Sequence, residues 1–169
     1  MCEKSCLPIE DKIAWVERKY SALGNIISKD SMIKSLLNKL DSAIRSTRRY
    51  MLEIGVVDIC RECALQGGSC CKKWVENEYD EIVLLINRLL GVNLPTKRFE
   101  PEGCFFVGPN GCVLKAREVI CVDFLCDKIL KHIGEKEIQL RIIEGEELET
   151  LFILREIVKK AIQNSGDGS

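Results

Sequence analysis

Apolar residues recur at alternating spacings of four and three along the first third of the chain. Ile9, Ile13, Val16, Tyr20, Leu23 and Ile27 form one series, behind a Pro8 suited to a first helical turn. Ile33, Leu37, Leu40, Ile44, Thr47, Met51 and Ile54 form a second, behind an Asp30 or Ser31 able to cap a helix N-terminus. The two series do not share a phase, because the position seven residues past Ile27 is Lys34, and Gly24-Asn25 offers a break. The pattern therefore predicts a helical hairpin rather than one long rod. A third helix is predicted from about Asn77 to Leu90, with Tyr79, Ile82, Val83, Ile86, Leu89 and Leu90 on one side and Gly91 as its left-handed stop.

Past Gly91 the periodicity fades. Pro95, Pro101 and Pro109 predict irregular backbone from Val92 to Gly111, and the Pro-Asn-Gly turn at 109–111 is flanked by Cys104-Phe105-Phe106-Val107 and Cys112-Val113-Leu114 as a short hairpin. Val122 to Ile133 is predicted as a short helix. Ile138, Leu140 and Ile142 alternate with Gln139 and Arg141, which predicts a strand, and Gly145 precedes a last helix from about Glu146 to Gln163. Acidic residues at 144, 146, 147 and 149 and lysines at 159 and 160 sit at the ends that the helix dipole favours. Asn164 to Ser169 are expected to fray.

Composition narrows the function classes. The 169 residues are 46% apolar and 30% charged with a formal net charge of -1. This is enough to bury a core, and too apolar for a disordered chain. No apolar run approaches the roughly 20 residues needed to cross a bilayer, so no membrane partner is expected. The near-neutral balance provides no overall field for nucleic acid. Arg45, Arg48 and Arg49, with Lys34 and Lys39 upstream, are a basic stretch, read here as the solvated face of an amphipathic helix; no nucleic-acid partner is expected.

The chain holds a single histidine, His132, and ten cysteines. Sites needing two or three imidazoles are excluded within one chain, so any metal is held by thiolates. The opening Met-Cys-Glu-Lys has no basic-then-apolar leader, which favours a cytoplasmic location and reduced thiols over five disulfides. Eight cysteines fall between residues 60 and 126, as Cys60-x2-Cys63-x6-Cys70-Cys71 and Cys104-x7-Cys112-x8-Cys121-x4-Cys126. Core cysteines follow an apolar period, whereas the first four surround Gly67-Gly68-Ser69 with no such period. A two-residue gap lets two thiolates face one centre across a tight turn, which makes Cys60 and Cys63 the firmest ligands. Adjacent Cys70 and Cys71 diverge and can serve different centres or different faces of one cluster. A second Cys-x2-Cys knuckle, as in a zinc ribbon, is absent, and so are the ferredoxin spacings. Cys2-x3-Cys6 begins like a radical SAM signature but meets Ile9 where the third cysteine belongs.

These motifs resemble the YkgJ-like cysteine-cluster proteins, a group described as a zinc- or iron-chelating domain with a CxxCxxxxCC signature. The resemblance covers about residues 58 to 127 and includes Asp80-Glu81-Ile82, Cys104-Phe105-Phe106, Asn110-Gly111-Cys112-Val113-Leu114 and Arg117-x3-Cys121. The x6 gap before Cys70 is longer than the family's usual one, and Arg117 is followed by Glu118 where the family commonly has proline. The resemblance implies chelation by Cys60, Cys63, Cys70, Cys71, Cys104, Cys112 and Cys121. Cys126 joins them on position, about one turn beyond Cys121 on the same predicted helix. Arg117 is expected either to donate toward the thiolates and offset their charge or to be an exposed, salt-bridging side chain. Trp74 and Phe105 are expected to shield the metal, His132 to sit near a helix C-terminus or complete a Cys3His site, and Asp123 and Asp127 to be carboxylate ligands or helix N-terminal residues.

The chain is thus expected to be mainly α with a small irregular, β-hairpin metal-binding region. Its parts are a helical hairpin at 1–56, a cysteine-cluster domain at 57–135, and a strand and helix with a frayed tail at 136–169. The expected function is chelation of zinc or an iron–sulfur cluster, with no catalytic motif found. Scattered thiols around one Cys-x2-Cys suit a multi-iron core better than a tetrahedral zinc knuckle. The alternatives are a redox enzyme or electron carrier using an iron–sulfur cluster, or an interaction module with a structural metal. In the last, the N-terminal hairpin would bind a protein partner or a second copy.

Overall fold

The computed structural model describes residues 7–66 and 69–166. The first two helices form where the periodicity places them, α1 over Ile9–Ile27 and α2 over Ser31–Glu53. Asp30 starts α2: its Oδ1 accepts from the backbone N–H groups of Met32 and Ile33 at 2.9 and 3.0 Å. The hairpin's two helices take different partners. Together with α4 (Glu81–Leu89) and α7 (Lys136–Gly166), they build the main core, α1 packing chiefly on α4 and α2 along α7. Val16, Ile33, Leu40, Ile44, Leu85, Ile86, Leu154 and Val158 meet there.

The third helix begins later than expected. A 3-10 turn covers Lys73–Glu78, then Asp80 caps α4 by accepting from the Val83 N–H at 2.9 Å. Gly91 ends the helical stretch at φ +82°, the left-handed conformation expected of it. The cysteines at 60 and 63 lie on a helix, α3 (Val56–Leu65), rather than on a periodless turn. The hairpin is short, with β1 (Val107–Gly108) pairing antiparallel to β2 (Gly111–Cys112).

Two expectations on the C-terminal side need correction. The predicted helix from Val122 to Ile133 is two helices, α5 (Val119–Asp123) and α6 (Asp127–Ile133), with extended backbone at Phe124 and Cys126 between them. Arg141 stabilises the break by donating to the Asp123 carbonyl at 2.6 Å and to its Oδ1 at 2.9 Å. The predicted strand at 138–142 is the first part of α7. Ile138 and Ile142 are exposed on one side while Leu140 is fully buried on the other, so an alternation over five residues also fits one and a half helical turns. The buried stripe of α7 runs Leu140, Glu144, Glu147, Leu151, Leu154, Val158, Ile162. Two carboxylates interrupt that stripe, which hides its period from an apolar reading.

A satellite core joins Ile54, Val56 and Ile59 to Leu125, Ile129, Ile133 and Leu140, fastening α3 and α6 against the start of α7. Among the described residues no helix is long and apolar enough to cross a membrane.

Candidate functional site

The irregular segment from 98 to 118 is held by buried polar side chains reaching across to its backbone. Glu76, buried within the 3-10 turn, takes a bidentate pair from Arg98 at 2.6 and 2.7 Å and also accepts from the Phe105 N–H at 2.9 Å. Arg98 donates onward to the Gly103 carbonyl at 2.5 Å. Asn87 on α4 plays the same part at the far end: its amide donates to the Ala116 carbonyl at 2.8 Å, and its oxygen accepts from the N–H groups of Lys115 and Ala116. Lys12 on α1 donates from inside the core to the Tyr79 carbonyl at 2.8 Å. These satisfied groups replace the hydrogen bonds that a loop would otherwise give to water.

On this frame the cysteines assemble in two neighbourhoods. Cys60 and Cys63 share a face of α3 at i, i+3, and α3 packs on α6, whose first residue follows Cys126. Cys70 lies beside Cys126 and Cys63, and the leading sulfur neighbour of Cys60 is Cys71, followed by Cys126, Cys70 and Cys63. The second neighbourhood centres on the hairpin. The Cys104 N–H donates to the Cys71 carbonyl at 2.9 Å, and Lys72 bridges to Gly103 beside it. Cys112 on β2 and Cys121 on α5 complete this group, each with Cys71 as a near neighbour. All eight of these cysteines are free thiols; Cys2 and Cys6 lie outside the described residues.

Five of the thiols are pushed up, with burial the leading cause in each: Cys60 to about 11, Cys104 to about 12, Cys112 to about 11, and Cys70 and Cys121 in the same direction, the neighbouring sulfurs adding to it. Cys112 is exposed as a residue, so it is the crowding of protein around its thiol that raises it. Two groups pull the other way. Tyr79, buried in the main core, donates its hydroxyl to Cys121 Sγ at 3.4 Å, and the Arg117 guanidinium lowers both Cys112 and Cys121.

Arg117 is half-buried, and its buried Nε and Nη2 have no hydrogen-bond partner among the described residues. A guanidinium held out of water beside two thiols is suited to a cluster of negative sulfurs. The donor set of eight soft thiols suits zinc or iron–sulfur chemistry and no hard cation. Among the described residues, no three or more His, Cys, Asp or Glu side chains already stand in an arrangement that holds a metal ion.

The other sequence candidates fall as follows. Cys121 lies on α5 and Cys126 in the extended backbone just before α6, so they do not share the single helical face expected of them; each neighbours a different set of sulfurs. Phe105 is buried against Phe106 under the Arg98 guanidinium, whereas Trp74 is 53% exposed and lines an open groove with Lys72, Lys73 and Glu102 instead of shielding sulfurs. His132 lies over Gly55 at the junction of α2 and α3. Asp123 is paired with Arg141, and Asp127 opens α6. In the basic stretch, Arg45 pairs with Asp41, and Arg48, exposed as a residue, also donates to the Leu114 carbonyl at 2.7 Å, tying α2 to the segment after Cys112.

Sequence reading missed Lys12, Glu76 and Asn87, and saw Tyr79 only as an apolar member of a helix. The available signal was a polar residue inside an apolar series, as Lys12 is between Ile9 and Ile13, and Asn87 after Ile86. No protein-family model, curated protein or solved structure matches the chain.

Proposed function

We propose that the chain is a cytoplasmic metal-binding protein that holds zinc or an iron–sulfur cluster through its cysteine thiolates, as the YkgJ-like proteins it resembles are described to do. Its part is chelation, without a turnover step of its own. The observation that carries the reading is the gathering of eight free thiols between residues 60 and 126, with Arg117 beside Cys112 and Cys121 and its buried Nε and Nη2 without a hydrogen-bond partner among the described residues. Free thiols so crowded would repel one another once ionised, and a bound cation removes that repulsion while releasing their protons. Arg117 would then donate to the sulfurs of Cys112 and Cys121 and offset part of their charge. Thiols spread over α3, a hairpin and two short helices favour an iron–sulfur core over a single zinc knuckle.

Elemental analysis of protein purified without oxygen tests the reading. Retention of zinc, or of iron with acid-labile sulfide and a brown colour, through gel filtration is expected, with loss of the metal when the thiols are alkylated. A reduced chain that neither carries nor takes up zinc or iron would overturn it.

A further inference from the structure

We infer that on binding metal the eight thiols would divide into two separate four-thiol centres, Cys60, Cys63, Cys70 and Cys126 in one and Cys71, Cys104, Cys112 and Cys121 in the other. The division rests on the chelation reading above and adds to it the number of centres and the owner of each sulfur.

Three independent features separate the sets. The first is the backbone at Cys70-Cys71. The Lys72 N–H closes a tight turn onto the Cys70 carbonyl at 2.8 Å, and the Cys71 N–H donates to Ser69 Oγ at 3.1 Å. Just beyond that turn, the Cys104 N–H and the Lys72–Gly103 bridge draw Cys71 to the hairpin. Neighbouring side chains on such a backbone point apart, so one sulfur is delivered to each side. Cys70 accordingly lies beside Cys126, while Cys71 neighbours Cys104, Cys112 and Cys121.

The second feature is the support under each set. Cys60, Cys63 and Cys126 are carried by α3 and the start of α6, which rest on the satellite core through Ile59, Leu125 and Ile129. Cys104, Cys112 and Cys121 are carried by the segment that puts Phe105, Phe106 and Leu114 into the main core, with Tyr79 bonded to Cys121 from below. The third is charge. Four thiolates match a tetrahedral ion or a four-cysteine cluster, whereas eight on one centre would leave a large uncompensated negative charge. Cys71 is near both sets, and its backbone attachment to Cys104 assigns it to the second.

Cobalt(II) titration of the reduced, metal-free full chain reads the division directly, because tetrahedral cobalt–thiolate absorption counts filled sites. Saturation is expected at about two equivalents for the unmodified chain and about one for Cys60→Ser, Cys126→Ser, Cys112→Ser, Cys121→Ser and Cys71→Ser. Pairing Cys126→Ser with Cys112→Ser is expected to abolish binding. Two substitutions in the first set and three in the second guard against one that fails to fold, which circular dichroism of the long helices reports. Saturation of the unmodified chain at one equivalent, or loss of all binding on Cys71→Ser alone, overturns the division and leaves chelation standing. No cobalt bound by the unmodified chain overturns chelation and the division together.

Discussion

The Tyr79 hydroxyl donates to the Cys121 sulfur at 3.4 Å from a side chain that is 1% exposed, joining the main core to a cysteine 42 residues away. Its ring stands edge-on to Phe106 with centroids 5.1 Å apart, so the phenol is anchored on one side and bonded on the other. Tyr79→Phe keeps the ring and removes only the donor. The expected cost is about 1 kcal/mol in urea unfolding. Because the hydroxyl lowers the Cys121 thiol, its loss is also expected to slow alkylation of Cys121 in the metal-free protein. An unchanged alkylation rate would show that the bond does not hold the sulfur.

Arg98 and Glu76 are the main fastening of the segment before Cys104, with side chains only 17% and 7% exposed. Arg98→Ala leaves the Glu76 carboxylate buried with the Phe105 N–H alone and frees the Gly103 carbonyl. Removing one partner of a buried pair costs about 3 kcal/mol, to be read by urea unfolding with helical content as the probe. Replacing Arg45, whose pairing with Asp41 is exposed, is expected to cost less than about 1 kcal/mol in the same measurement.

Gly55 combines a φ of +81° with a close neighbour: a Cβ there would lie 2.8 Å from His132 Nε2. Gly55→Ala is expected to destabilise by about 1–2 kcal/mol, partly from the left-handed backbone and partly from displacing the imidazole. Adding His132→Ala is expected to recover the second part alone, a partial rescue visible in thermal melts. Full rescue would mean that the backbone at Gly55 is not strained by a side chain.

Glu144 lies almost fully buried on α7, and burial raises its carboxyl above 4.5 in spite of the Arg141 hydrogen bond at 3.1 Å. A raised acid binds its proton more tightly in the folded chain than in the unfolded one. Its contribution is therefore most favourable below pH 4.5 and declines as pH rises through the native value. Glu144→Gln keeps an acceptor for Arg141 and removes the buried charge. The variant is expected to melt higher than the unmodified chain at pH 7, with the difference closing as the pH is lowered toward 4.5. A variant less stable at neutral pH would mean that attraction to Arg141 outweighs the burial of Glu144.

Local pattern was enough wherever one stretch of chain carries its whole signal. The four-and-three series of α1 and α2, the Asp30 cap and the Gly91 stop are each legible within a few residues, because helix period, capping and left-handed backbone are local physics. The clustering of eight cysteines between residues 60 and 126 belongs to the same class. Other features depend on neighbours distant in sequence. Of the two carboxylates on the buried stripe of α7, Glu144 is bonded to Arg141, while Glu147 has Arg48 near it but no hydrogen-bond partner for either oxygen among the described residues; a single stretch read alone shows only a broken period. The break between α5 and α6, made by Arg141 reaching Asp123, moves Cys126 away from Cys121 and toward α3. Which sulfur neighbours which was set by packing and by hydrogen bonds between segments far apart in the chain, such as Glu76 to Phe105 and Cys104 to Cys71. Spacing along the chain names the thiols; long-range burial and backbone pairing decide their company.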